Sequence, residues 1–128
     1  MPLTAAVKPL RTFGHVVSLR GTLDNNTHLQ LTEAIDRLVA ADSPLVVLEL
    51  SGLDYINSTG LRALQIGART LERAGGALKF LNPQPGVARV FEVIQVATLS
   101  EQFRDLDELD RFLQGLQRPR AGDAEKNR

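Results

Sequence analysis

The feature that most constrains the fold is a short apolar run in the middle of the chain. Residues 45–50 form an almost continuous, partly β-branched apolar run, bounded by Pro44 before it and by Ser51 and Gly52 after it. Such a run is typical of a strand buried on both faces, as in the middle of an α/β sheet. The sequence therefore predicts a central strand that ends near Leu50.

Further strands and four helices are predicted around this central strand. The alternation of Phe13, His15, Val17 and Leu19 on one face predicts a half-buried strand. Shorter strands are predicted at residues 4–8 and 77–81. Apolar residues recur at helical spacing in four segments, which are residues 31–38, 61–71, 87–94 and 106–116.

Glycine and proline positions predict where two of these helices end and begin. Gly75 and Gly76 directly follow the second helix, as C-terminal caps commonly do. Asn82 and Pro83 have the pattern of an N-cap followed by proline at the first helical position. They predict that the third helix begins at Pro83.

The order of these elements predicts one α/β domain. Strands alternate with helices after an initial pair of strands, which implies parallel strand pairs joined by helical crossovers. From residue 117 onward the chain is polar, with Pro119 and Gly122 and no apolar periodicity. We therefore expect a domain over residues 1–116 and a disordered polar tail over residues 117–128.

Charge and composition exclude several classes of function. The 128 residues include 15 Lys and Arg and 15 Asp and Glu, so the formal net charge is zero. A nucleic-acid-binding protein needs a basic footprint, so no nucleic-acid partner is expected. The absence of cysteine excludes disulfides and thiolate chemistry. With no secretory signal and no apolar run of about 20 residues, we expect a cytoplasmic protein without membrane insertion.

The loop after the central strand carries the most informative polar residues. Ser58 and Thr59 lie where the second helix is predicted to begin, directly before Gly60. Loops at the carboxyl ends of strands are the usual binding sites of open α/β sheets. The two hydroxyls have two interpretations, capping of the helix or a functional role, and the local pattern leaves both open.

Enzymatic and metal sites find little support in the sequence. A hydrolase elbow would need glycine at the position of Ile56, and the candidate bases His15 and His28 are interpreted as a strand residue and a solvated helix start. No histidine or cysteine spacing for a metal and no phosphate-binding glycine loop occurs, so we predict no catalytic residue, metal or cofactor. The acidic cluster at residues 105–110 is interpreted as a solvated helix face.

Three sequence blocks together resemble a known family. They are residues 21–27, residues 48–61, and a third block made of residues 81–83 and 90–92, and the middle block is the most specific. The chain is similar to the STAS domain of bacterial anti-sigma factor antagonists, over residues 4–115. The resemblance implies a small mixed sheet flanked by about four helices.

The same resemblance implies a switch based on phosphorylation, in a protein that is not itself an enzyme. Ser58 matches the phosphoacceptor of the family. An anti-sigma factor that is also a serine-protein kinase would phosphorylate it, and a serine phosphatase would remove the phosphate. The unmodified form would bind the kinase and release its target. The expected partner-binding residues are Asp24, Asn25, Asn57, Ser58, Thr59 and Gly60. For Asp24 and Asn25, capping of the first helix is an equal alternative, and Thr59 is favoured as a cap.

One residue departs from the family pattern. The family usually has aspartate directly before the phosphoserine, whereas this chain has Asn57, which removes a charge beside the acceptor. A scaffold or accessory subunit of a transporter or signalling assembly, without phosphorylation, is therefore the first alternative function. Binding of a nucleotide or lipid around Asp24 and Ser58 is the second.

Overall fold

The computed structural model describes residues 2–10, 14–96 and 105–123 of the chain. Its elements follow the predicted order of two strands, then helix, strand, helix, strand and two helices. They are β1 (Leu3–Pro9), β2 (His15–Leu23), α1 (His28–Ala40), β3 (Leu45–Ile56), α2 (Ser58–Arg73), β4 (Ala77–Leu81), α3 (Pro85–Val96) and α4 (Leu106–Leu116). The predicted α/β class with a small mixed sheet is confirmed.

The described sheet has four strands in the order β1-β2-β3-β4. β1 and β2 pair antiparallel, while β2 with β3 and β3 with β4 pair parallel. The parallel pairs follow from the crossover helices α1 and α2, since a helix between two strands returns the chain to the same end of the sheet. The carboxyl ends of β2 and β3 therefore lie side by side, with Leu23 paired to Ile56.

The core lies on one face of this sheet. Alternate residues of β2 and β3, including Val17, Leu19, Val46 and Leu48, are fully buried. All four helices add residues to the same cluster, as Leu113 of α4 does. The predicted inward face of β2 is confirmed for Val17 and Leu19, whereas Phe13 lies outside the described residues.

The central strand differs from its prediction in two respects. It runs on through Ser51 and Gly52 to Ile56, because pairing with β2 resumes beyond two register irregularities. Its other face is only half-buried at Leu45, Val47 and Glu49, so the strand is fully covered on one side rather than two. An apolar run reports the hydrophobicity of a strand and not the number of layers around it.

One predicted helix boundary is confirmed and another is wrong. Gly75 follows α2 with φ of +86°, and the N–H of Gly76 donates to the Leu71 carbonyl at 2.8 Å, as in a glycine C-cap. By contrast, α3 begins at Pro85 and not at Pro83. Asn82 has φ of +54°, a left-handed turn conformation that is unlike the extended backbone of an N-cap.

The segment predicted as a disordered tail needs correction as far as Asp123. Arg89 of α3 donates from Nε to the Leu116 carbonyl at 2.6 Å and from Nη2 to the Arg118 carbonyl at 3.0 Å. Its guanidinium also binds both carboxylate oxygens of Asp123 at 3.1 Å. These contacts are polar and follow no apolar periodicity, so a pattern-based prediction could not find them. Residues 124–128 lie outside the described part of the chain.

Candidate functional site

The corner between β3 and α2 is built around the cap of α2. Asn57 has an extended backbone, and its Oδ1 accepts a hydrogen bond from the N–H of Gly60 at 3.0 Å. The Asn57 carbonyl accepts the first helical bond from Leu61 at 2.9 Å. Asn57 is therefore the N-cap, and the interpretation of Ser58 or Thr59 as the cap is wrong. Both already belong to the helix, so their hydroxyls do not hold the N-cap position.

A side-chain bond joins this corner to the neighbouring loop after β2. Asn57 Nδ2 donates to Oδ1 of the exposed Asn25 at 2.9 Å. Asp24 instead turns inward on its own loop, where Oδ1 accepts from the N–H of Asn26 at 2.9 Å. The N-cap of α1 is Thr27, and it makes no side-chain capping bond. The alternative in which Asp24 and Asn25 cap α1 is therefore not what the structure has.

Ser58 is the first residue of α2, and its side chain is largely enclosed. The residue is 6% exposed. Its Oγ makes no hydrogen bond among the described residues. Among the described residues, every side-chain oxygen that is fully buried has a hydrogen-bond partner. Because Ser58 Oγ has none, it is not fully buried and keeps some contact with solvent. The hydroxyl at the start of α2 is thus uncommitted.

The backbone of Ser58 is bound by a residue from far along the chain. Its N–H donates to Oδ1 of Asp110, in α4, at 2.8 Å. The interpretation of residues 105–110 as a solvated face is correct for the exposed Asp105 and Asp107 but wrong for Asp110. A carboxylate at a helix N-terminus is favoured by the helix dipole and by the free N–H groups there. The charge that Asn57 lacks is therefore present at the same helix end.

Gln117 binds the residue next to this site. Its Oε1 accepts from the N–H of Ile56 at 2.8 Å, and its Nε2 donates to the Ile56 carbonyl at 2.6 Å. β4 pairs with β3 only as far as Glu49, so this amide satisfies backbone groups beyond the end of β4. Sequence reasoning missed Asp110 and Gln117, because nothing local in the sequence marks contacts that span 52 and 61 residues.

The surroundings of Asp110 also affect Tyr55. Burial raises the pKa of the Tyr55 phenol above its usual value of 10.0, and the nearby Asp110 carboxylate raises it further. Both causes disfavour the negatively charged phenolate. Asp110 is therefore close both to the phenol and to the N-terminus of α2, and a further negative charge at either place would be repelled by its carboxylate.

Gly60 is the residue that lets α2 lie close to β2. A Cβ at this position would be 2.4 Å from the carbonyl oxygen of Leu23, which belongs to the backbone and cannot give way easily. The absence of a side chain at Gly60 brings Ser58 and the Asn25 loop to the same edge of the sheet. Thr59, between Ser58 and Gly60 in the sequence, is half-buried.

Exposed apolar and basic side chains flank the corner. Leu29 in the first turn of α1 is 61% exposed, and Ile66 of α2 is 51% exposed. Arg62, one turn after Ser58, is also exposed. The helical pattern alone did not mark Leu29 or Ile66 as exposed residues.

In the described part of the chain, the hydrogen bond between a histidine and a serine lies away from Ser58, and no metal cluster is found. His15 Nδ1 lies 2.8 Å from Ser43 Oγ, at the opposite end of β2 from Leu23. No group of three or more His, Cys, Asp or Glu among the described residues has the arrangement of a metal site. A surface cavity of about 340 Å³ lies away from Ser58, against Arg89 and Asp123.

Comparisons with known proteins point to one family. A family model of the STAS domain matches residues 7–109. A putative anti-sigma factor antagonist, BtrV of Bordetella bronchiseptica, is 33% identical over 78 residues, which are 61% of this chain and 67% of BtrV. The anti-sigma-F factor antagonist RsfB of Mycobacterium tuberculosis is 37% identical over 65 residues, and the match spans about half of each chain, 51% in both cases.

Solved structures show the same fold. An anti-sigma factor antagonist from Mycobacterium paratuberculosis has a TM-score of 0.64 at 25% identity, over 89% of this chain and 93% of that one. The Bacillus protein SpoIIAA in its phosphorylated form has a TM-score of 0.60 at 22% identity, over 77% of this chain and 96% of that one.

The family match, the named relatives and the fold thus define a small α/β domain of the anti-sigma factor antagonist type. The chain belongs to the STAS domain family. Within the described residues, no helix is long and apolar enough to cross a membrane.

Proposed function

We propose that this chain is an anti-sigma factor antagonist controlled by phosphorylation of Ser58. The unmodified form binds an anti-sigma factor that is also a serine-protein kinase, and this binding releases the factor's target. The phosphorylated form no longer binds the kinase, and a serine phosphatase regenerates the unmodified form. The observation that carries the proposal is the uncommitted Ser58 hydroxyl at the start of α2, in a chain of the STAS family.

The proposed contact residues divide into those that touch the partner and those that shape the surface. Asn25 is exposed beside Asn57, and Thr59 follows on the same corner. Asp24 is bonded within its own loop and acts by holding Asn25 in place. Gly60 acts by allowing α2 to approach β2.

A phosphate at this position changes docking more than folding. It adds a charge of about −1.5 to −2 and three hydrogen-bond acceptors. The N-terminus of α2 tolerates an anion, so the domain stays folded. A docking partner meets the new charge and bulk directly. A loss of about 2–3 kcal/mol of binding free energy lowers affinity about 30- to 150-fold.

In this proposal the chain is a substrate and a binding partner, not an enzyme. The kinase binds ATP and supplies the catalytic groups, and the serine hydroxyl receives the γ-phosphoryl group. The bond from Ser58 Oγ to phosphorus forms as the bond between the γ-phosphorus and the bridging oxygen of ADP breaks, and the hydroxyl proton is released. Both the kinase and this chain act in the cytoplasm, where ATP is available.

The first experiment is phosphopeptide mass spectrometry on the protein isolated from its native cells. Trypsin releases residues 38–62 as one peptide, because Arg37 and Arg62 are the flanking cleavage sites. The peptide also contains Ser43, Ser51 and Thr59, so fragment ions must assign the phosphate. We expect it on Ser58, with loss after phosphatase treatment. An unmodified peptide under growth and stress conditions alike would favour the scaffold alternative.

Binding measurements then test the switch. The variant Ser58→Ala is expected to bind the kinase as the unmodified protein does and to resist phosphorylation. The variant Ser58→Asp is expected to bind at least about tenfold more weakly, which corresponds to about 1.4 kcal/mol. Ser51→Ala, at an exposed serine of the same peptide, is the matched control and is expected to be phosphorylated normally. Equal affinity of the kinase for the Ala and Asp variants would contradict the mechanism.

A further inference from the structure

Two side chains attach the C-terminal part of the described chain to the residues around Ser58. Asp110 accepts a 2.8 Å hydrogen bond from the Ser58 N–H, and Gln117 binds both backbone groups of Ile56. Asp110 is charged and Gln117 is neutral. A new charge on Ser58 would therefore act differently on the two attachments.

The position of Asp110 makes it the group that a phosphate would meet. The phosphate oxygens would be attached to the same residue whose N–H the Asp110 carboxylate already occupies. Phosphates at helix N-termini bind the free backbone N–H groups, so the two anions would compete for the same donors. Their charges have the same sign in a partly buried setting, where screening by salt is weak.

We propose that Asp110 is a positioning residue that couples Ser58 to α4: phosphorylation of Ser58 displaces the Asp110 carboxylate and loosens the first half of α4. This inference rests on the proposed function, because it uses the same phosphoacceptor. The second half of α4 stays in place, since Leu113 is fully buried and Gln117 remains bonded to Ile56. The modification thus alters the surface formed by residues 105–110 as well as the corner itself.

The experiment compares the full chain carrying genetically encoded phosphoserine at position 58 with the unmodified chain. Amide hydrogen exchange followed by mass spectrometry is read in peptides from α4 and from residues 117–123. We expect exchange in the first half of α4 to rise at least about tenfold on phosphorylation, with little change at residues 117–123. Equal exchange in α4 with and without the phosphate would overturn the proposal.

The variant Asp110→Asn tests whether the charge is the cause. Asparagine retains an acceptor for the Ser58 N–H but carries no charge, so we expect the rise on phosphorylation to fall below about threefold. Asp107→Asn removes a charge from the exposed side of the same helix and is expected to leave the rise unchanged. A full rise in the Asp110→Asn chain would overturn the proposal.

A second measurement does not depend on the stability of α4. The phosphate of phosphoserine 58 is titrated by ³¹P nuclear magnetic resonance in the same three backgrounds. A nearby carboxylate raises the second pKa of the phosphate, which is normally about 6, so Asp110→Asn is expected to lower it and Asp107→Asn is not. An identical pKa in all three chains would show that the phosphate and the Asp110 carboxylate do not repel each other, and it would overturn the proposal.

The results separate this inference from the proposed function. Encoded phosphoserine is present whether or not cells modify Ser58. An unmodified peptide from native cells would contradict the proposed function, while the exchange measurements would still decide the coupling to α4.

Discussion

The side chains of Asn57 and Asn25 join two loops that are 32 residues apart in the sequence. Asn57 Nδ2 donates to Asn25 Oδ1 at 2.9 Å, while Asn57 Oδ1 accepts from the Gly60 N–H. One amide therefore caps α2 and fixes the loop that precedes α1. An aspartate at position 57 would retain the cap and lose the donor.

The first prediction concerns the cap of α2. Asn57→Ala is expected to lower the free energy of unfolding by about 1–2 kcal/mol, because the Gly60 N–H loses its acceptor. Asn25→Ala removes only the exposed partner of the same amide and is expected to cost less than about 0.5 kcal/mol. Urea unfolding of the two variants checks this. Equal losses would show that the cap contributes nothing.

The second prediction concerns the close approach of α2 to β2. Gly60→Ala would place a Cβ 2.4 Å from the Leu23 carbonyl oxygen, so one backbone must move. We expect a loss of about 3 kcal/mol or more. Gly115→Ala, in α4, meets no atom within 4 Å and is expected to gain about 0.5–1 kcal/mol from helix propensity. Thermal unfolding of both variants measures the contrast, and a stable Gly60→Ala protein would contradict it.

The third prediction concerns the ion pair that holds residues 117–123. The side chains of Arg89 and Asp123 are only 13% and 19% exposed. Because Arg89 also binds two backbone carbonyls, Arg89→Ala is expected to cost about 2–4 kcal/mol.

The matched control for Arg89 is an exposed pair on α1. Arg37 lies 3.8 Å from Glu33, and their side chains are 80% and 66% exposed. Arg37→Ala is expected to change stability by less than about 0.5 kcal/mol. If the two arginine variants unfold at the same denaturant concentration, residues 117–123 do not stabilise the domain.

The fourth prediction concerns the ionisation of Tyr55, the only tyrosine in a chain without tryptophan. Burial and the Asp110 carboxylate raise its pKa above 10.0, so the folded protein retains the phenolic proton to higher pH than the unfolded chain. Ionisation of Tyr55 therefore leaves the free energy of unfolding unchanged below about pH 9 and lowers it as the pH rises through 10.

Absorbance at 295 nm reports the phenolate of Tyr55 directly. Asp110→Asn is expected to lower the pKa of Tyr55 while leaving it above 10.0, because burial is the larger cause. Tyr55→Phe is expected to remove this part of the stability loss at high pH. A titration of Tyr55 that is the same with and without the Asp110 charge would contradict the arrangement around α4.

Local patterns in the sequence were sufficient for the order of the elements but not for their surroundings. The alternation at Val17 and Leu19 predicted an inward strand face because side-chain direction depends only on position along the strand. Asn82 had the residue type of a cap, yet its left-handed backbone is set by the turn out of β4. Residue type alone did not distinguish these two conformations.

The candidate site was predicted only in its local part. Asn57 and Ser58 follow a central strand, where α/β sheets usually place their functional loops. Asp110 and Gln117 reach the site through hydrogen bonds between distant segments, and such bonds follow no period in the sequence. The same limit explains why residues 117–123 were assigned to a tail.

The order of synthesis gives these long-range contacts a consequence in time. Strands β1 to β4 are neighbours in the sheet in the order in which they are made, so each can pair with the strand before it. The backbone of Ile56, by contrast, can bind the Gln117 side chain only after 61 further residues have been made. At about 5–20 residues per second this interval is about 3–12 s. Under the proposed function, a kinase that meets the nascent chain in that interval would encounter a serine whose backbone N–H is not yet bound by Asp110.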